Sequence, residues 1–462
     1  MECTDGGSIN PGAYAPGSPE VVPLRVRDRR RGRRLAYLNG GVWAVGSGLL
    51  SSTLVIYLAM QFGAEGIGLG IALILSIRYM VGPARLLAPA VIGRWIDRKR
   101  FCIAAYLLSA VLLGAIPALA VPALRPPAGG ALAAVVAVWS LYHLLEYAGT
   151  IALYSWLADL VPTRVRGRFL GRRERWMVAG AVTAMLASAA CVWGCRAMLG
   201  EGYRWVGYAV SAAAGAAALA AAVVPLAAMP HPAGGAATRR GATVRETLRP
   251  LVDSLFLRLL IFGCCFSFAN GLTQSPTYTY QGQVLGVALA VILALRTVMR
   301  LGQFTISPWM GRLSDRLGNR LVLAAATLLT AQGPLFYLLA APGASWWIGG
   351  AWLVWIAYAG VNVALYNLML RLAPHEASTT YIAVYFTATG LAHAAGALPV
   401  GQLADRFAEE TFAVGPWHWG FHDVVFLLGW LARLAAVVVL LVLVREPPPS
   451  TRRPSLRPPG GR

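Results

Sequence analysis

The 462 residues predict an all-α polytopic membrane protein, with twelve transmembrane helices arranged as two pseudo-symmetric six-helix bundles. Three observations predict it. The chain is 57% hydrophobic and 13% charged, and apolar runs of membrane-spanning length recur along it. Its basic residues crowd into alternate loops between those runs. A motif from the first half also returns in the second. IALILSIR (Ile71 to Arg78) matches LAVILALR (Leu289 to Arg296) at an offset of 218, and the same offset carries Gly93, Arg94, Asp97 and Arg98 onto Gly311, Arg312, Asp315 and Arg316.

Taken in order, residues 1–34 are polar and end in RVRDRRRGRR. They read as a basic cytoplasmic tail, because a cleavable signal needs a short charged start followed by an apolar core. Spans are expected near 35–60, 67–91, 101–121, 131–158, 176–199 and 205–228, which form an N-terminal bundle over 35–228. A Pro/Gly/Ala/Arg linker occupies 229–255. Spans near 256–279, 284–309, 321–341, 345–371, 379–404 and 423–444 form a C-terminal bundle over 256–444. The Arg- and Pro-rich tail at 445–462 reads as disordered and cytoplasmic.

Arginine is concentrated in the N-terminal tail, after spans 2, 4 and 8, in the linker and at the C-terminus, whereas the intervening loops hold only Arg125, Arg204 and Arg406. That asymmetry places both termini in the cytoplasm of a cell whose inner membrane the chain crosses many times. It also accounts for a net charge of +21 without nucleic acid as a partner.

A second echo aligns GTIALYSWLADLVP (Gly149 to Pro162) with VNVALYNLMLRLAP (Val361 to Pro374) at an offset of 212. Six spans per copy is an even number, so both copies enter the bilayer in the same direction. A binding site is expected near the midplane between them.

Several function classes are excluded. The only lysine, Lys99, stands between Arg98 and Arg100, so neither a Walker A motif nor a Schiff-base lysine is available. The cysteines lie mostly within or beside apolar spans and read as small buried residues. His418 and His422 are four apart and followed by Asp423, but no third-ligand pattern accompanies them. No His-Glu-x-x-His, Gly-x-Ser-x-Gly or mid-span aspartate pair is present, so no enzyme is expected, and no cofactor or metal.

GRWIDRKR (Gly93 to Arg100), GRLSDRLGNR (Gly311 to Arg320) and DLVPTRVRGRFLG (Asp159 to Gly171) resemble the loops after spans 2, 8 and 4 of the major facilitator superfamily. The resemblance covers about residues 35–444. It implies a secondary active transporter, monomeric by family default, whose halves rock about a central site to move a small solute. The alternative is a non-transporting membrane sensor or scaffold on the same fold, which predicts no solvent-connected cavity. Span 5, with WMVAGAVTAMLASAAC, lacks the Gly-Pro pair of the family's drug exporters.

The resemblance also implies a conformational latch from Gly93, Asp97 and Arg98 in one copy and Gly311, Asp315 and Arg316 in the other. The glycines permit close approach or unusual backbone angles. The aspartates accept hydrogen bonds from the N-termini of spans 11 and 5. Arg98 pairs with Asp159, whereas Arg371 stands where a second such acid belongs.

Ionisable groups inside spans are costly and usually face a partner or a watery cavity. Here they are Arg78, Arg85, His143, Glu146, Arg296, Arg300, His393 and Arg433. By family analogy Arg78 and Arg296 face one another across the pseudo-twofold axis. Arg78, Arg296 and Arg300 are candidates for an anionic group on the solute, since guanidinium groups match a carboxylate or phosphate. Asn270, Gln274, Asn362 and Tyr366 are candidates for further hydrogen bonds to it. Equally, Arg78 neutralises Glu146, while Arg296 bonds backbone carbonyls or Tyr and Asn side chains. Glu146, the one acid near the middle of a span, shares a helix face with His143. Either the pair couples transport to protons, or Glu146 sits in a permanent ion pair.

Overall fold

A computed structural model describes residues 26–82, 98–161, 163–230, 244–374, 378–407, 410–414 and 417–446. The helices run in chain order as α1 (Val26–Met60), α2 (Ile67–Met80), α3 (Lys99–Ala120), α4 (Ala128–Leu160), α5 (Thr163–Leu199) and α6 (Arg204–Ala221, continued by Val223–Ala227). A short linker helix, Val244–Val252, leads to α7 (Ser254–Thr279), α8 (Leu289–Leu317), α9 (Asn319–Leu339), α10 (Ser345–Leu372), α11 (Ser378–Phe407) and α12 (Phe421–Leu443). Among the described residues, eleven of these are long and apolar enough to cross a membrane, and α2 is a shorter apolar helix as far as Met80. The first loop motif, with Gly93 and Asp97, lies outside the described residues, as do Arg85 and most of both tails.

Local chemistry sets the breaks. The Ser51 hydroxyl interrupts α1 by accepting the Leu54 N–H at 3.3 Å, a side-chain cap in mid-span. Asp253 caps α7 through the N–H groups of Leu255 and Phe256, and the Tyr381 hydroxyl of α11 donates to its second oxygen at 3.1 Å.

The bundle has two faces. The terminal face is where α1 begins and α12 ends; the far face is opposite. On the far side one apolar core runs through both halves, joining Leu54, Ile56 and Leu58 of α1 to Tyr280, Ile292, Tyr337 and Phe426. On the terminal side the core is split. One cluster, with Phe256, Leu368, Tyr381 and Leu440, belongs to the second half. The other, with Trp156, Leu160, Phe169 and Leu226, belongs to the first. The halves meet along two seams, α2 against α11 and α5 against α8. On the first seam, a Cβ on Gly68 would lie 2.6 Å from the Gly401 carbonyl oxygen, so backbone meets backbone there.

Three expectations are corrected. The stretch after span 4 is not a long loop: α5 starts at Thr163, directly after α4. Its Arg-rich first turns suit a helix that extends beyond lipid into water. The GRLSDRLGNR stretch is helical as far as Leu317, and the turn glycine is Gly318 (φ +89°) rather than Gly311. A Cβ on Gly311 would meet nothing within 4 Å, so this glycine serves neither a tight turn nor a close approach. Finally, a β-hairpin, Thr411–Val414 paired antiparallel with Trp417–Gly420, precedes α12. Its β-branched and aromatic residues flank Gly415-Pro416, which is a hairpin pattern rather than a plain loop.

At the start of α9 the polar contacts converge on Glu446. Its carboxylate accepts from the Asn319 amide at 2.6 Å, the Arg320 N–H at 2.9 Å and the Arg371 guanidinium at 2.6 Å. A carboxylate there also complements the positive end of the α9 dipole. Glu446→Gln is expected to cost on the order of 1–3 kcal/mol and to lower the thermal unfolding midpoint of the purified protein. Exposed Arg445→Gln should leave the midpoint unchanged.

Candidate functional site

Two cavities adjoin where the halves meet. One, of about 530 Å³, is walled mainly by α7, α8, α10 and α11, with Arg433 alone from α12. The other, of about 630 Å³, is walled mainly by α1, α4 and α5. Ser52, Arg78, Tyr79, Arg296, Arg300 and Phe386 line both, so they form one space at the bundle centre. Arg78 and Arg300 are exposed to that space in a helix interior, which a guanidinium tolerates only with water or a partner.

Each polar side chain has a traceable support. Arg296 of α8 donates to the Thr53 hydroxyl of α1, which also lies 3.4 Å from the Tyr278 hydroxyl of α7, so both halves meet at this point. Tyr79 packs at a 45° tilt against His393 of α11, with ring centroids 4.4 Å apart. His393 bonds the Ser267 carbonyl on one side and Gln274 on the other. Asn270 accepts from the Tyr358 hydroxyl at 2.8 Å and from Arg433 Nε at 3.1 Å, while its own amide donates to the Phe266 carbonyl at 2.9 Å. On the opposite wall the Thr150 hydroxyl donates to Glu146 at 3.1 Å and lies 2.7 Å from the Tyr106 hydroxyl. The His143 ring stands edge-on to Trp139.

The charges are unevenly divided. The first cavity is lined by Arg78, Arg296, Arg300 and Arg433, and by no acid among the described residues. The second adds Glu146 and Glu174.

The space is sealed towards the far face. Asp405, at the end of α11, accepts from the N–H groups of Gly68 and Leu69 at 2.6 and 2.9 Å, so its carboxylate caps the positive N-terminus of α2. The Ser275 hydroxyl donates to the Gly68 carbonyl at 2.7 Å, and the Tyr57 hydroxyl to the Val287 carbonyl at 3.0 Å. Each of these bonds joins the two halves.

Six of the seven proposed solute contacts line the first cavity: Arg78, Arg296, Arg300, Asn270, Gln274 and Asn362. Tyr366 lines neither; it is 45% exposed and rests its ring on Phe386. It follows Asn362 by one turn on the same side of α10, towards the terminal end of that helix. His143 and Glu146 line the second cavity. Of the proposed latch, Gly93 and Asp97 and the side chains of Arg98 and Asp159 lie outside the described residues. Asp315 and Arg316 are exposed, with no hydrogen bond to a described residue, and Arg371 pairs instead with Glu446.

The residues missed are as informative. Asp405 was announced by GQLADR (Gly401 to Arg406), which repeats the Gly-x-Leu-x-Asp-Arg of Gly311 to Arg316 at the other end of a span. Gln281 carried no such signal. It is fully buried in a π-helical turn after α7, and its amide donates to the Tyr337 hydroxyl at the cavity wall.

Residues 36–397 and 289–460 match the Major Facilitator Superfamily. No curated protein sequence matches the chain. Among solved structures, the nucleoside transporter NupG superposes with a TM-score of 0.63 at 13% identity, covering 91% of this chain and 100% of that one. A D-xylose–proton symporter gives 0.64 at 15%, covering 90% and 97%. A bacterial homologue of the human lysosomal transporter Spinster, inward-facing and unoccupied, gives 0.58 at 15%, covering 91% and 96%. At such identities these likenesses speak to the fold alone. With a sequence match that runs across all twelve helices, this chain belongs to the Major Facilitator Superfamily.

Proposed function

We propose that this protein is a secondary active transporter that moves a small anionic solute by alternating access, coupled to protons through Glu146. It acts as a monomer in the cell's inner membrane, with its terminal face in the cytoplasm. The observation that carries this reading is the cavity at the join of the two halves, into which Arg78 and Arg296 are brought from matching places in the repeat. Guanidinium groups that outnumber the acids of the joined space, four against Glu146 and Glu174, match a carboxylate or phosphate. A scaffold that never transports has no use for so polar a space in a lipid-embedded core.

With the terminal face inside, the split core on that side and the sealed core on the other correspond to a state that exposes the site inwards. Opening outwards then requires the Asp405 bonds and the Gly68–Gly401 contact to break. Glu146 is supported by Thr150 and faces the half of the cavity beside His143, where a proton can arrive with the solute.

Three measurements test this. In a thermal-shift screen of the purified protein against sugars, nucleosides, amino acids and organic anions, the anions should raise the unfolding midpoint. Arg78→Gln and Arg296→Gln should each weaken that response about tenfold or more; a neutral solute acting equally on all three proteins would refute the anionic reading. In proteoliposomes loaded with an identified solute, Glu146→Gln should abolish accumulation driven by a pH gradient while passive exchange persists. If accumulation survives, Glu146 is not the coupling group. For alternating access, a cysteine placed at Ser52 in a cysteine-free background should be shielded from an impermeant maleimide supplied outside. Asp405→Ala should raise its labelling severalfold, and unchanged labelling would argue against a clasp at α2.

A further inference from the structure

We propose that Arg433 is a second anion contact in the cavity wall, so that the site favours solutes carrying two anionic groups over those carrying one. This rests on the reading that Arg78 and Arg296 receive an anion, and adds a separate locus on α12.

Arg433 lies half-way along α12, is 3% exposed and lines the first cavity. Its Nε donates to Asn270 and its Nη2 to the Thr273 hydroxyl at 2.6 Å, both neutral acceptors on α7. Its Nη1 is buried with no acceptor among the described residues, and no described carboxylate pairs with it. An arginine keeps its charge in any protein setting. A buried cation without a counter-charge costs several kcal/mol, so such groups persist where something supplies the missing charge. The far more exposed Arg371 and Arg204 pair with Glu446 and Glu201, where water also screens the charge. At Arg433 the protein supplies only dipoles, in a wall that borders the space for solute.

The supports are built to aim this group. Gly429, one turn before Arg433, packs directly on the Thr273 side chain and lets α12 approach α7. Asn270 spends its oxygen on both Arg433 and Tyr358 and donates its amide to the backbone. Little capacity is left for a solute, which recasts Asn270 as a positioning residue that acts through Arg433. Arg78 and Arg296 come from α2 and α8, on other walls of the same space. A solute with charges at both ends can therefore engage both loci at once.

The test uses the purified full-length protein and paired probes: straight-chain monocarboxylates against dicarboxylates of the same length, from three to six carbons, with affinity read by calorimetry. For at least one length the dicarboxylate should bind about tenfold tighter or more. Arg433→Gln should erase that preference and leave monocarboxylate affinity as it was, whereas Arg296→Gln should weaken both series. Asn270→Ala should narrow the preference. If Arg433→Gln does not fold, Arg433→Lys is read in its place: the charge stays but the fork is lost, and the preference should shrink. A preference that survives either Arg433 variant, or monocarboxylates bound as tightly as dicarboxylates at every length, overturns the second contact while sparing the first. Failure of both series to bind the unmodified protein overturns the anionic reading itself.

Discussion

A guanidinium at the centre of a bilayer costs roughly 2.5–3.5 kcal/mol even by insertion scales, and this chain carries Arg78, Arg296, Arg300 and Arg433 within apolar helices. Hydrocarbon cannot take them, and a single tight bundle has no room for their hydration. The architecture answers with two bundles whose shared boundary is left unfilled in the middle. All four arginines line the cavity at that boundary. The cavity is thus a requirement of the charge as much as a device for binding.

The rest of the packing follows from where the boundary is closed. In lipid no hydrophobic force draws helices together, so close backbone approach and buried polar contacts must do it. The far side has both: Gly68 against Gly401, and the bonds made by Asp405, Ser275 and Tyr57. The terminal side has two separate cores. Few and individually modest hydrogen bonds hold the closed end, each worth about 0.5–1.5 kcal/mol net, or 1.5–3 where charged. A seam of that strength can be exchanged for an equivalent one on the opposite side, which is the energetic condition for two states of similar stability.

The fold was legible because its signals are redundant. Twelve apolar runs, alternating arginines and a repeat at constant offset all gave the same architecture, and most predicted spans coincide with helices to within a few residues. The arginines of the site were legible for a related reason: a charge inside an apolar run stands out whatever it does. Less legible was anything decided by neighbours distant in sequence. Asn270 read as a solute contact, yet its bonding is taken up by residues 88 and 163 positions away. Tyr366 read as a cavity residue, but it lies one turn beyond Asn362, outside the cavity lining, with its ring against Phe386. Glu446, just beyond the last span, looked like tail, and only the folded chain brings it to the start of α9. The hairpin before α12 was signalled only by the β-branched and aromatic residues around Gly415-Pro416, a pattern that length and hydropathy do not register.

The repeat also separates what the halves share from what each has acquired. Arg78 and Arg296 occupy matching positions, and both line the central space. At the offset that aligns α4 with α10, however, Glu146 falls on Tyr358. The only mid-span acid thus has a neutral phenol as its counterpart, and that phenol is committed to Asn270. Conversely α6, which takes in the first half the place that α12 takes in the second, carries no charge after Arg204 in Arg204–Ala221, so Arg433 has no charged equivalent. Symmetry therefore supplies the frame, the pivot and one pair of cations. The asymmetric additions, an acid on one wall and a buried cation on the other, give the two walls different chemistry, whereas a symmetric site offers the same chemistry twice.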